Sequence, residues 1–177
     1  MLKPRVEEAI NAQIQRELYS SYLYLSMAAH LASRNLPGFS HWLNVQAQEE
    51  MIHVIKFYTH VLDRGGKVTL QAIEAPPHEW PTLEAIFQAT LAHERYITEN
   101  IHDLVDIAAA ERDHGTHAFL QWYVNEQVEE EKNAEDLLAK IQLLGGTGHG
   151  VFMMDRDLAA RPAPFPTPPA LLPGGAP

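Results

Sequence analysis

The run QAQEEMIH at residues 46–53 sets two glutamates and a histidine into a stretch that otherwise repeats like a buried helix. The stripe through it reads Leu43, Ala47, Glu50, Val54, Phe57, Val61, so Glu50 stands where the helical period reserves an apolar side chain. His53 follows Glu50 by three positions and shares its face. A lone carboxylate on a buried face costs several kcal/mol in desolvation, or stays protonated, unless a counter-charge meets it.

Outward from that run, apolar residues at helical spacing predict four long helices: from about residue 5 to Asn35, Pro37 to about Arg64, Leu83 to about Glu111, and about Thr116 to Leu144. The breaks carry turn chemistry: LPG at 36–38, GG at 65–66, APPHEWPT at 75–82 with Thr82 as an N-cap, DHG at 113–115 and GGTGHG at 145–150. Only KVTL at 67–70 alternates like a strand. Helices of this size, about 45 Å long, suit an all-α bundle. Two tight turns and one long connection, from Gly65 to Thr82, predict two antiparallel hairpins joined by a crossover. VFMMDRDLAAR after the last glycines predicts a short fifth helix, which closes a domain of residues 1–161. Residues 162–177 hold most of the chain's prolines and are expected to be an extended or disordered tail.

Composition narrows the chemistry. A formal charge of −10 argues against a nucleic-acid partner and is compatible with cations. The chain has no cysteine, which leaves oxygen and imidazole as metal ligands. The first residues lack the apolar stretch of a secretory signal, and nothing approaches the length of a membrane span, so a soluble, cytoplasmic protein with no membrane partner is expected.

The two hairpins repeat each other at an offset of 77 positions: Gly38 maps to Gly115, Trp42 to Phe119, Leu43 to Leu120, Glu49 to Glu126, Glu50 to Gln127, His53 to Glu130 and Glu17 to Glu94. Glu17 interrupts the stripe Ile10, Ile14, Ser21, Tyr24, and Glu94 interrupts Phe87, Leu91, Thr98, Ile101. On the fourth helix, Gln127 and Glu130 interrupt Leu120, Tyr123, Ala134, Leu137. Each helix thus aims a polar group inward at one level, and neither Lys nor Arg joins them on these stripes. An isolated Glu-x-x-His is commonly a solvated helix face. Four helices converging at matched height instead point to a bound cation, and glutamates from separate helices can bridge two ions. The other nine histidines are expected mostly at the solvent, and Trp42, Trp80 and Trp122 in packing.

These residues resemble the non-haem bacterial ferritins across about residues 1–160. The likeness is carried by ELYSSYLY around Glu17, AQEEMIH around Glu50 and His53, the lone Glu94, and FLQWYVNEQVEEEK around Gln127. The resemblance implies a ferritin-like four-helix bundle with a short fifth helix, assembled as a hollow 24-subunit homo-oligomeric shell. It further implies oxidation of Fe(II) to Fe(III) by O2 or H2O2 at a di-iron ferroxidase centre, with storage as ferric oxyhydroxide. By position, Glu17, Glu50 and His53 would hold one iron, and Glu50 as bridge with Glu94 and Gln127 the second. Tyr24 matches a tyrosine beside the centre linked to electron transfer. Glu49, Glu126, Glu129 and Glu130 match the glutamates of a third iron site. Because Gln127 brings no charge, the second iron is expected to be the weaker-bound, with the third-site glutamates receiving the product.

Other families share parts of this pattern. Met51 occupies the place of the haem ligand in bacterioferritins, but those repeat Glu-x-x-His where this chain has Gln127-x-x-Glu130, so no haem is expected. A rubrerythrin-like di-iron redox enzyme would be a dimer fed by outside electrons. A DNA-protecting mini-ferritin would build its site between subunits, and a helical scaffold would bind no iron.

Overall fold

A computed structural model of the chain contains α1 (Pro4–Ser33), α2 (Pro37–Asp63), α3 (Leu83–Ala110), α4 (His114–Leu143) and α5 (His149–Leu158). The structure describes residues 2–145 and 148–165, so the expected disorder of the tail falls, beyond residue 165, outside the described residues. α1 and α2 form one hairpin, α3 and α4 the other; α1 packs on α3, and α5 packs on α2. Prolines open α1 and α2 at the position where a missing N–H costs nothing. Side-chain caps open α3 and α4: Thr82 Oγ1 accepts from Ala85 N at 3.0 Å and Asp113 Oδ1 from Thr116 N at 3.1 Å. The Asp113 cap starts α4 at His114, two residues ahead of the expected Thr116.

The internal repeat reaches the backbone. Asn35 (φ 58) and Arg112 (φ 54), equivalent at the 77-residue offset, are the two non-glycine residues in the left-handed region among the described residues. Each ends a helix with the same double turn, closed by Leu36 N to Leu31 O at 3.1 Å and by Asp113 N to Ala108 O at 2.8 Å. The crossover at residues 64–82 runs the length of α1. Asn11 ties Lys67 O (2.9 Å) and Thr69 N (2.7 Å), Ser26 Oγ donates to Pro77 O at 2.6 Å, and Trp80 meets His30 edge-on. Residues 67–70 are therefore extended chain on a helix, and no strand forms among the described residues.

α5 starts at His149, after Gly148 at φ 78, and ends at Leu158 rather than Arg161. Asp155 docks it: one carboxylate oxygen accepts from Gly38 N (2.8 Å) and Phe39 N (2.9 Å), the free amides at the start of α2. A Cβ on Gly38 would lie 1.6 Å from Asp155 O, so this approach requires glycine.

The apolar core is split in two. One cluster holds Leu23, Tyr24, Met27, Phe39, Trp42 and Phe87, and the other Ile10, Ile14, Val54, Phe57, Ile97 and Tyr123. Between them, on every long helix, lies a polar layer containing Glu17, Glu50, His53, Glu94, Gln127 and Glu130, all buried.

Candidate metal centre

α1 and α2 bring the first ligand set together. One ligand atom each from Glu17, Glu50 and His53 falls within 4.8 Å of the others. His53 Nδ1 lies 3.2 Å from Glu50 Oε2 and 3.8 Å from Glu17 Oε2. Gln13 Nε2 donates to Glu17 Oε1 at 2.8 Å, while Glu17 Oε2 is buried with no hydrogen-bond partner. Among the described residues no Lys or Arg pairs with Glu17, Glu50, Glu94 or Glu130. An orphaned carboxylate oxygen beside two more ligand groups, with no Lys or Arg to neutralise them, fits a metal ion.

The α3–α4 half is closed on itself. Tyr24 donates to Glu94 Oε1, and Gln127 Nε2 reaches Glu94 Oε2, Glu94 O and Thr98 Oγ1, each at 3.3 Å. Glu94 and Gln127 are adjacent, but both Glu94 oxygens and the Gln127 Nε2 are engaged with protein partners.

Electrostatics follow from this crowding. Burial drives the Glu50 carboxyl well above its usual range against the opposing pull of His53. Burial, reinforced by Glu130, lifts Glu94 to about 8. Burial also acts on Glu17, but the nearby His53 outweighs it and holds that carboxyl low. Burial disfavours the His53 imidazolium, yet Glu50 and Glu17 together raise it well above the ordinary histidine value. Burial and Glu94 push the Tyr24 phenol up.

The expected third-site residues divide. Glu126 and Glu130 approach His53 from α4, with ligand atoms within 4.8 Å of one another. Gln46 Nε2 holds Glu130 Oε2 at 2.8 Å. Glu129 is exposed, and Glu49 is paired with Arg161 at 2.6 Å.

A ferritin-like domain pattern matches residues 7–144, which spans all four long helices and the whole polar layer. The chain belongs to the ferritin family. It is similar to the bacterial non-heme ferritin of Escherichia coli, 38% identical over 159 residues that cover 90% of this chain and 96% of that one. It matches the bacterial non-heme ferritin of Bacteroides fragilis at 39% identity, over 91% of this chain and all of the other. The open-pore ferritin of Archaeoglobus fulgidus superposes with a TM-score of 0.90 at 45% identity, over 91% of this chain and 98% of that one. Membership carries iron binding and iron storage as the coarse function. No helix among the described residues is long and apolar enough to cross a membrane.

In this ferritin several site neighbours escape a reading of the sequence. Gln13 and Gln46 each sit one helical turn before a site glutamate, Glu17 and Glu50, a spacing that could have drawn attention to both. Gln46 Oε1, like Glu17 Oε2, is buried without a partner. Trp122, expected only to pack, meets His53 edge-on at 5.5 Å and carries the Lys56 ammonium 3.7 Å over its ring. The histidines are less solvent-facing than expected. His30, His41, His60, His93 and His117 are half-buried. His60 stacks on Phe119 at 3.9 Å, and His93 contacts Ser20 Oγ at 2.8 Å, its imidazolium driven down to about 4 by burial.

Proposed function

We propose that this ferritin oxidises Fe(II) at a di-iron ferroxidase centre within each bundle and stores the ferric oxyhydroxide inside a 24-subunit shell in the cytoplasm. The observation that carries the reading is the buried, unpartnered Glu17 Oε2 facing Glu50 and His53. Carboxylate and imidazole donors suit iron, which is here the substrate. Glu17, Glu50 and His53 hold the first ion. Glu50 bridges to the second, which Glu94 and Gln127 hold once Gln127 gives up its contacts to Glu94 and Thr98. Each Fe(II) loses one electron, so two reduce one O2 to H2O2 with uptake of two protons, and H2O2 serves as an oxidant in turn. Tyr24, hydrogen-bonded to Glu94 Oε1, is positioned to relay an electron from a further Fe(II) to the oxidant, so that no net electron is taken from the phenol. Glu49, Glu126, Glu129 and Glu130 receive the ferric product on its way to the core.

In this reading residues 1–161 form the iron-handling domain, residues 162–177 are an appended tail, and no haem is bound. Gln127-x-x-Glu130 supports the haem-free assignment; a Soret band in protein from iron-replete cells overturns it. The central test is an anaerobic Fe(II) titration of the apoprotein, followed by air and particle sizing. Two tight sites per chain and an iron-filled particle of about half a megadalton, the mass of two dozen chains of 19.9 kDa, are expected. Indifference to Fe(II) sinks the proposal, and a dimer that turns over peroxide with external electrons replaces it with a rubrerythrin-like enzyme.

A further inference from the structure

Arg161 is the last cation of the chain, standing immediately before the Pro-rich tail. The residues after α5 turn back and lie across α2. His41 Nε2 is 2.8 Å from Arg161 O, Arg161 Nη1 donates to Trp42 O at 3.3 Å, and the guanidinium lies 4.7 Å over the Trp42 ring. Its other nitrogen, Nη2, holds Glu49 Oε2 at 2.6 Å. Beyond it, Phe165 N donates to Gln48 Oε1 at 3.2 Å, so the first tail residues continue along the same helix. An exposed ion pair would mean little. Here the two side chains are only 20% and 26% exposed, and the arginine is fixed by three contacts besides the carboxylate.

Glu49 precedes Glu50 by one position and His53 by one turn, and its carboxylate lies within charge reach of Glu130, His53 and Glu126, which form one group. Of Glu49, Glu126, Glu129 and Glu130, Glu49 alone makes an ion pair with a described Lys or Arg. From this geometry we infer that Arg161 is a resident counter-cation of the third iron site, and that an iron ion recruits Glu49 only by displacing it. The inference rests on the assignment of those glutamates as a transit site. Competition of this kind keeps the third position weak. Ferric product is then not retained beside the centre, and the start of the tail comes free of α2 whenever the position is filled.

The experiment compares assembled, full-length wild type with Arg161→Gln, Arg161→Lys and Arg161→Gln/Glu49→Gln, each titrated anaerobically with Fe(II). In Arg161→Gln the third equivalent per chain is expected to bind about tenfold tighter, the scale of one half-buried ion pair in competition. The first two equivalents are unchanged, and air-driven transfer of iron to the core slows. Arg161→Lys keeps the charge and stays within about threefold of wild type, and removing Glu49 as well abolishes the gain. Hydrogen exchange of the segment around Arg161 speeds up in wild type as the third equivalent is added. An unaltered third equivalent in Arg161→Gln overturns the inference, as does a gain that survives loss of Glu49 or is equal in Arg161→Lys. Absence of any tight Fe(II) binding in all four proteins refutes the ferroxidase reading itself.

Discussion

The α1–α2 hairpin and the α3–α4 hairpin are copies with the same turn backbone, yet they prepare their halves of the centre differently. The first holds Glu17, Glu50 and His53 as an open set with one carboxylate oxygen unpartnered. The second ties Glu94 to Tyr24 and Gln127, so its ligands answer one another. The replacement of a glutamate by Gln127 at the position equivalent to Glu50 makes the difference. An amide can donate to the neighbouring carboxylate, whereas a second carboxylate would repel it. In the proposed centre, one half would capture an ion, and the other would accept one after rearrangement and release it.

The strongest way to break this comparison is to remove the group that both halves share in the proposed centre. Glu50→Gln keeps the shape and deletes the bridging charge. Iron oxidation is expected to fall about a hundredfold or more, beyond the loss seen when an outer partner of a ligand is removed. The apoprotein should melt no lower than wild type, because a buried, disfavoured carboxyl is gone. Loss of activity with a lowered melting temperature would instead mark Glu50 as structural. Next comes Gln127→Glu, which makes the second half resemble the first. The second Fe(II) equivalent should tighten about tenfold, and ferric product should leave the centre more slowly; equal or faster transfer to the core contradicts the release argument.

A pH series sharpens the same contrast at smaller amplitude. Glu94 titrates at about 8 in the folded protein, far above an unfolded carboxyl. Its folded-state proton therefore stabilises the apoprotein at low pH, and that contribution disappears as pH rises through about 8. The apoprotein is expected to lose a few degrees of melting temperature between pH 7 and 9, with iron restoring them. The second Fe(II) equivalent should bind more tightly over the same interval while its release of protons declines. A flat profile for both would mean that Glu94 is ionised throughout. The smallest effect on iron affinity is expected for Tyr24→Phe. Removing one hydrogen bond to a carboxylate costs roughly 1 to 3 kcal/mol of apoprotein stability. Anaerobic iron affinity stays within about threefold, and the air-oxidation step slows. Unchanged kinetics would leave Tyr24 a packing residue.

Much of this architecture is legible in the sequence because it rests on period and punctuation. The stripes around Glu17, Glu50, Glu94 and Gln127 place all four inward at one level, and the same four lie in the buried layer between the two apolar clusters. The start of α4 is less legible, since side-chain capping by Asp113 extends the helix beyond the apolar pattern. Partners across helices are hardest to read. Gln46 holds Glu130 at a sequence separation of 84, and Arg161 reaches Glu49 from 112 residues away. No local period encodes such pairs. The side chains of the third site are likewise undetermined by spacing alone: Glu49 and Glu126 are equivalent in the repeat, but only Glu49 meets an arginine.

The fifth helix leaves its mark on what the chain can become. Gly38 and Gly115 are equivalent in the repeat, but a methyl group at 38 would collide with the main chain of Asp155, whereas one at 115 would press on the pliable end of Arg64. Position 38 and the fifth helix are thus bound to a common evolutionary fate. A lineage that discarded the helix would be free to fill 38, and one that keeps it must leave that site bare, while 115 can drift.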